Sequence, residues 1–173
     1  MLSDIRDAIV GAQTNVIVLT GNGKVFSAGA DLDAARAGLA ISPLWEDVSN
    51  AIAHSSALTV AALNGTLAGG AFGMALACDI RIAADHAKFF YPVMKLGFLP
   101  QPSDPKRMAA LTGPSVAKRI LMGGAKIDAA EALRVGLVDA VCPVADMPSQ
   151  LAELTHDARN ADATHVAGIK TLF

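Results

Sequence analysis

Cysteine, aromatic side chains and net charge are all scarce in this 173-residue chain. Its two cysteines, Cys78 and Cys142, lie in apolar stretches, which favours buried free thiols in a reducing compartment over a disulfide framework. A formal net charge of −2 and 14 scattered Lys and Arg residues give no reason to expect nucleic acid or an anionic membrane as a partner. Asp4 stands where a signal peptide would need a basic region, so we predict a cytoplasmic protein.

Several common catalytic signatures are missing from the sequence. Gly21 and Gly23 begin a dinucleotide-binding pattern, but Phe26 occupies the position of its third glycine. Neither a P-loop nor the G-x-S-x-G motif of many serine hydrolases occurs. The four histidines, which lack the spacing of metal ligands, are His54, His86, His156 and His165. We therefore expect neither nucleoside-triphosphate binding nor a metal site.

One uncharged run, residues 55–78, is long enough to span a bilayer. Its glycines at positions 65, 69 and 73 also have the spacing found in close-packed membrane helices. However, Asn64 and Gly65 interrupt the run after a β-branched strand, and its glycines would weaken a single helix. We predict instead a buried strand, a turn and a buried helix.

Alternating helical and strand patterns predict an α/β fold with largely parallel strand pairing. With 53% hydrophobic residues, the chain has ample material for a single core. Strands are expected over residues 15–20, 59–63, 79–83 and 137–141, with a short extended piece at 88–91. Helices are expected over residues 2–12, 43–54, 70–77, 104–112 and 114–122, after the capping box Asp128–Glu131, and through most of the C-terminal part.

Two glycine-rich turns, each following an apolar strand, carry the main functional signal. The first is GNGKVFSAGADL, residues 21–32, and the second is NGTLAGGAFGMALACD, residues 64–79. Small residues leave backbone N–H groups open to a ligand, and Gly69 and Gly70 open a helix whose first N–H groups lack intrahelical acceptors. Two such turns facing each other could hold one oxygen atom between two amide donors, as in an oxyanion hole. The alternative is that the glycines serve only to let these segments pack closely, without binding a ligand.

Three blocks of the chain resemble the enoyl-CoA hydratase/isomerase (crotonase) superfamily in order and spacing. They are VIVLTGNGKVFSAGADL (16–32), VAALNGTLAGGAFGMALACDIRIAADHAKFFYP (60–92) and GAKIDAAEALRVGLVDAVCP (124–143). The resemblance implies a crotonase-like spiral of ββα units with a helical C-terminal part, assembled as a homotrimer or hexamer. It also implies a coenzyme A thioester as the ligand, a place in fatty acyl-CoA or related metabolism, and no required metal or redox cofactor.

The resemblance assigns the two oxyanion-hole donors to the backbone amides of Ala30 and Gly70. Each such donor contributes about 2.7–4 kcal/mol to stabilising the charge in comparable sites. In the family the first turn also cradles the adenine and pantetheine groups. The substrate-binding residues that this implies are Ala28, Ala30, Asp31, Leu32, Asp33 and Gly70.

The chain departs from the family at both glutamates that a typical hydratase uses. Gly73 occupies one of these positions and Val93 the other, and neither side chain can transfer a proton. Because one missing general acid or base typically costs about 10²–10⁴-fold in rate, the sequence argues against a standard hydratase.

Another pocket residue could replace the glutamates. The candidates near the acyl carbon in relatives are Tyr91, Lys95, Gln101 and Asp104, of which Tyr91 is the first to test. Each of them is also explained as a surface or packing residue, and Asp104 as a helix-start residue. Three functions stay open: a hydratase/isomerase-type or other CoA-thioester reaction, a non-catalytic acyl-CoA carrier, and a structural subunit.

The resemblance divides the chain into a crotonase-like core over residues 1–143 and the start of a C-terminal helical trimerisation region over residues 144–173. Relatives have further strands before the first helix and further helices after the last one. We therefore expect this sequence to cover the family's core without its first strands.

Overall fold

The computed structural model describes residues 1–29, 33 and 37–173 of the chain. Strands and helices alternate along it, which confirms the predicted α/β class. The strands are β1 (Val16–Thr20), β2 (Leu58–Leu63), β3 (Leu67–Ala68), β4 (Ile80–Ala84), β5 (Lys88–Phe90), β6 (Ile127–Asp128) and β7 (Ala140–Cys142). The helices are α1 (Leu2–Val10), α2 (Leu44–Ala53), α3 (Phe72–Ala77), α4 (Val93–Leu96), α5 (Asp104–Thr112), α6 (Pro114–Leu121), α7 (Ala129–Arg134), α8 (Met147–Leu154), α9 (His156–Asn160) and α10 (Ala163–Lys170).

The main sheet has four parallel strands in the order β1-β2-β4-β7. Its register places Val18 beside Val60 and Val60 beside Ile80. Strand β2 is buried from Thr59 to Leu63, because a parallel sheet with both faces covered needs a nearly continuous apolar strand. The polar Thr59 is tolerated there because its backbone N–H and its hydroxyl both donate to Asp79 Oδ2, each at 2.8 Å.

A second, smaller sheet has the order β3-β5-β6, with β5 parallel to β3 and antiparallel to β6. At its centre Phe89 is fully buried and lies between Leu67 and Ile127. Ser27 in the first glycine-rich turn forms a parallel bridge with Leu67. This sheet therefore joins the first turn to the second.

The uncharged run at residues 55–78 folds as predicted, into a strand, a turn and a helix. Strand β2 is followed by β3, by a 3₁₀ turn over Gly69–Ala71 and by α3, whose six residues are all buried. In the described part of the chain, no helix is both long and apolar enough to cross a membrane. The glycine spacing in this run accordingly serves close packing inside the core.

Both cysteines are buried and free, as the sequence predicts. The expected cap of α7 is also confirmed, because the Asp128 side chain accepts from the Glu131 amide at 2.9 Å. The reciprocal half of that capping box does not form. Glu131 instead pairs with Arg119 and Arg134.

The last strand begins three residues later than the sequence predicts. Gly136 has φ +79° and ends α7, and the amides of Leu137 and Val138 then donate to the carbonyl of Ala132. Residues 137 and 138 thus close the helix terminus. The Asp139 amide already donates to the carbonyl of Arg81 in β4, at 2.8 Å. Strand β7 starts only at Ala140.

The C-terminal helices pack beside the edge of the main sheet where β1 and β2 begin. Asn15 donates to the carbonyls of Ala158 and Ala161, at 3.1 and 2.7 Å. From α10, Lys170 Nζ lies 2.8 Å from Asp79 Oδ2 and 2.9 Å from the carbonyl of Ala57. The C-terminal helices are interrupted after Asn160, and Asp162 caps α10.

Candidate active site

The two glycine-rich turns lie against each other at the ends of β1 and β2. The Asn64 side chain joins them, because its Oδ1 accepts from the Gly21 amide at 3.0 Å and its Nδ2 donates to the carbonyls of Gly21 and Gly23 at 3.1 and 3.0 Å. A Cβ at Gly65 would lie 2.2 Å from the carbonyl oxygen of Lys24. This close approach requires glycine at position 65.

Further along, the two backbones run side by side. The Ser27 amide donates to the carbonyl of Thr66 at 2.9 Å, and the Ala68 amide donates to the carbonyl of Ser27 at 3.0 Å. Beyond this pair, a Cβ at Gly69 would lie 3.5 Å from Gly29 Cα. Ala30, Asp31 and Leu32, which the sequence predicts to be in the site, lie outside the described residues.

A cavity of about 420 Å³ opens where the turns meet. The described residues that line it are Ala28, Gly29, Ala40, Trp45, Ala68, Gly69, Gly70, Phe90, Tyr91, Pro92, Val93, Lys95, Leu96, Phe98, Leu99 and Gln101. Of the predicted site residues, Ala28, Gly70, Tyr91 and Val93 are in this set. Gly73 and Asp33 are not, and Asp33 is exposed.

A second hollow, of about 730 Å³, lies between α10 and the start of β2. Its lining includes none of the residues that the sequence predicts for the site. Among the described residues, no group of three or more His, Cys, Asp or Glu could hold a metal ion. The 420 Å³ cavity is therefore the candidate site, because residues of both glycine-rich turns line it.

Gly70 lies on the cavity wall as the middle residue of the 3₁₀ turn Gly69–Ala71. The first N–H groups of a helical segment have no intrahelical acceptor, so the Gly70 amide is placed to bind a ligand. The ring of Trp45 covers this residue, and a Cβ at position 70 would lie 3.1 Å from two of the ring carbons. Trp45 is itself held by its Nε1, which donates to the carbonyl of Leu39 at 2.8 Å.

Tyr91 lines the cavity, and contacts to its ring and to its hydroxyl group hold it in place. Its side chain is 4% exposed, and its ring stacks on Phe72 with 5.4 Å between the ring centroids. The hydroxyl donates to Asp104 Oδ2 at 2.8 Å. The backbone amide of Gln101 donates weakly to the same hydroxyl oxygen, at 3.4 Å. The structure thus brings together Tyr91, Gln101 and Asp104, three of the candidates from the sequence.

Asp104 is the first residue of α5 and is fully buried. The sequence predicts Asp104 as a helix-start residue, and its backbone does begin α5. Its carboxyl group, however, bonds to Tyr91 and does not cap the helix. Its second oxygen, Oδ1, has no hydrogen-bond partner among the described residues. A Cβ at Gly73 would lie 2.8 Å from that oxygen. The carboxyl group therefore lies directly beside the position where a typical hydratase has its first glutamate.

Burial raises the pKa of Asp104 to about 7. The hydrogen bond from Tyr91 opposes this rise, the nearby Glu46 carboxylate adds to it, and the Arg107 guanidinium lowers the pKa. The pKa of Tyr91 is raised well above its ordinary value, first by burial and then by the negative charge of Asp104. At neutral pH, Tyr91 therefore keeps its proton while Asp104 is close to its titration point.

A second carboxylate, Glu46 of α2, braces the start of α5. It accepts from the hydroxyl of Ser103, and its Oε2 also accepts from the Ser103 amide at 3.3 Å. Ser103 directly precedes α5, but its hydroxyl donates to Glu46 and does not cap the helix. From α5, Arg107 also donates to Asn50 Oδ1 at 3.0 Å, so three hydrogen bonds join α2 to α5 and the residue before it.

Three other predicted residues and Trp45 also contribute to the cavity wall. Lys95 lines the cavity but is exposed, and Gln101 donates to the carbonyl of Ala40 at 3.2 Å. Val93 presents an apolar, buried side chain to the cavity. Trp45 could not be recognised as a site residue from the sequence, because its position on the apolar face of a predicted helix marks it only as a core residue.

Comparison with solved structures defines the class of this fold. DspI from Pseudomonas aeruginosa matches with a TM-score of 0.88 at 31% identity, covering 99% of this chain and 69% of that one. The enoyl-CoA hydratase from Bacillus anthracis matches with a TM-score of 0.86 at 30% identity, covering 98% of this chain and 69% of that one. The fold is the crotonase fold.

Sequence comparison identifies the family. The pattern of the enoyl-CoA hydratase/isomerase family matches residues 1–173. Carnitinyl-CoA dehydratases from Citrobacter koseri and Escherichia coli are 34% identical over 166 residues, which is 93% of this chain and 64% of theirs. The chain thus spans about 64% of the length of these curated relatives. It belongs to the enoyl-CoA hydratase/isomerase family, which confirms the resemblance seen in the sequence.

Proposed function

We propose that this chain binds an acyl-CoA thioester in the 420 Å³ cavity, with the thioester oxygen between the amides of Gly70 and Ala30. The apposition of the two glycine-rich turns carries this proposal, because it brings a helix-start amide to the wall of a cavity. Family membership supports it, as do the names of relatives that act on a CoA thioester. Ala28 lies on the same wall and would contact the bound ligand.

The chemistry available to this site is polarisation of the thioester carbonyl. Hydrogen bonds from two backbone amides would stabilise the negative charge that develops on the oxygen when an enolate forms. Gly73 and Val93 supply neither of the carboxylates of a typical hydratase. The proposed function is therefore an acyl-CoA reaction that passes through an enolate, in fatty acyl-CoA or related carboxylic acid metabolism. It requires no metal or redox cofactor.

The carbonyl stretch of a bound, ¹³C-labelled acyl-CoA tests this proposal. We expect saturable binding by calorimetry and a shift of that stretch to lower frequency in the wild type. Gly70→Pro removes the N–H, and Gly70→Ala is its matched control because both substitutions add carbon beside Trp45. The shift should decrease in Gly70→Pro and persist in Gly70→Ala. An unshifted carbonyl in the bound wild type would contradict the oxyanion hole.

A non-catalytic acyl-CoA carrier is the second candidate function, favoured by the two missing glutamates. It predicts the same binding but no turnover of enoyl, β-keto or malonyl thioesters. We further propose a cytoplasmic homotrimer or hexamer. Light scattering after size-exclusion chromatography tests the oligomeric state.

A further inference from the structure

We infer that Tyr91 is the proton-transfer residue of the acyl cavity, and that Asp104 positions its hydroxyl and exchanges a proton with it. This inference rests on the proposed function, because it needs a thioester in the cavity. Tyr91 and Gly70, the candidate oxyanion donor, line the same cavity. The bond from Tyr91 Oη to Asp104 Oδ2, at 2.8 Å, links that hydroxyl to a titratable group behind the wall.

The burial of Asp104 is not explained by stability alone. A carboxyl group with no exposed surface loses its hydration, and such groups normally satisfy both oxygens with hydrogen bonds. Here Oδ2 has the Tyr91 hydroxyl, while Oδ1 has no partner among the described residues. A costly, half-satisfied carboxyl group beside a ligand cavity is typical of a functional site.

The position of this carboxyl group fits the missing glutamate. Asp104 Oδ1 would lie 2.8 Å from a Cβ at Gly73, the first of the two departures from the hydratase pattern. Glycine at position 73 leaves room for a carboxyl group that comes from α5 instead of α3. The chain thus has an acidic group beside position 73, and this group is linked to the cavity by its hydrogen bond with Tyr91.

The proton transfer is balanced in both directions. When the Tyr91 oxygen takes a proton from the α-carbon of a thioester, the proton of the Tyr91 hydroxyl passes to the Asp104 carboxylate. The C–H electron pair becomes the enolate, whose oxygen the amides stabilise. In reverse, Tyr91 gives its proton to the α-carbon, the thioester carbonyl forms again, and protonated Asp104 restores the Tyr91 proton. Because the two transfers are coupled, no free tyrosinate is needed.

Exchange of the α-hydrogens of butyryl-CoA in D₂O, followed by mass spectrometry, tests the inference without assuming which net reaction occurs. We expect exchange in the wild type and a loss of about 10²-fold or more in Tyr91→Phe. Butyryl-CoA binding, measured by calorimetry on the same samples, should remain. Asp85→Asn, at an exposed residue whose side chain pairs with its neighbour His86, is the control and should exchange like the wild type.

The pH profile separates the role of Asp104 from a purely structural one. Exchange should increase with pH through about 7 in the wild type, because the carboxylate is the form that accepts the proton. The groups that face this carboxyl are Tyr91, Glu46 and Arg107, and they are unchanged in Asp104→Asn. That variant should lose the pH dependence and most of the exchange while keeping its binding and cooperative thermal unfolding.

Four outcomes would overturn the inference. A wild type that binds butyryl-CoA without exchange leaves the proposed binding function intact and removes Tyr91 as a proton donor. Wild-type exchange in Tyr91→Phe also removes Tyr91 as the proton donor, and an unchanged pH profile in Asp104→Asn removes the role of Asp104. A wild type that binds no acyl-CoA overturns the proposed function and this inference together.

Discussion

Asp104 and Gly73 compete for one small volume, since a Cβ at position 73 would lie 2.8 Å from Asp104 Oδ1. The two residues belong to α5 and α3, which pack against each other. A side chain at position 73 is therefore incompatible with the carboxyl group in its present place. This relationship links the loss of a glutamate at one position to the presence of an aspartate at another.

We expect Gly73→Ala to destabilise the protein by about 1–3 kcal/mol, because the new methyl group overpacks against the carboxyl. In an exposed helix the same change would stabilise by about 0.5–1 kcal/mol. In an Asp104→Ala background the clash is gone, so Gly73→Ala should be close to neutral or stabilising. Denaturant unfolding of the four proteins gives the coupling free energy, and additivity within about 0.5 kcal/mol would contradict the shared volume.

The buried carboxyl group of Asp104 should make stability decrease as pH rises. Burial raises its pKa from 3.8 to about 7, so between these values the folded state holds a proton that the unfolded state has released. The free energy of unfolding therefore falls with increasing pH through this window, by up to about 4 kcal/mol, and is flat above it.

Comparison of urea unfolding from pH 4 to 8 in the wild type and in Asp104→Asn isolates this contribution from other titrating groups. The difference between the two proteins should change steadily through the window and level off above pH 7. A difference that does not vary with pH would mean that Asp104 titrates normally in the folded protein.

Much of the fold could be predicted from the sequence, because its longer elements have clear periodicity. Helix α2 and strand β2 were predicted to within one or two residues of their bounds. The strands β3 and β6 were not predicted, because two residues are too few to show an alternating pattern. Their pairing with β5 is a long-range contact, and it is this second sheet that joins the two turns.

The site was only partly predictable for a similar reason. The glycine-rich turns are local patterns, and the resemblance assigned Gly70 and the two missing glutamates. The bond between Tyr91 and Asp104 joins residues 13 positions apart across the short helix α4 and the turn after it. No periodic or spacing rule marks such a pair, and the nearness of Gly73 to Asp104 follows only from how α3 and α5 pack.

Asn64 should be important for both stability and binding, because its side chain makes three hydrogen bonds across the first turn. We expect Asn64→Ala to lower the free energy of unfolding by about 1–3 kcal/mol and to weaken acyl-CoA binding. Asn64→Asp is a sharper comparison: it retains the acceptor for the Gly21 amide but places charged oxygens against two carbonyls. It should destabilise at least as much, and wild-type stability in both variants would show that the turns do not depend on this side chain.

Trp45 provides an intrinsic reporter of the cavity, because it is the only tryptophan in the sequence and lies on the cavity wall beside Gly70. At 6% exposure, its emission should be that of a buried indole in the free protein. We expect acyl-CoA to change the emission saturably, with the same dissociation constant as calorimetry gives, and coenzyme A without an acyl group to change it less. Trp45→Phe should abolish the signal while calorimetric binding persists with a modest loss of affinity. Calorimetric binding of acyl-CoA to the wild type without any change in Trp45 emission would place the ligand outside this cavity.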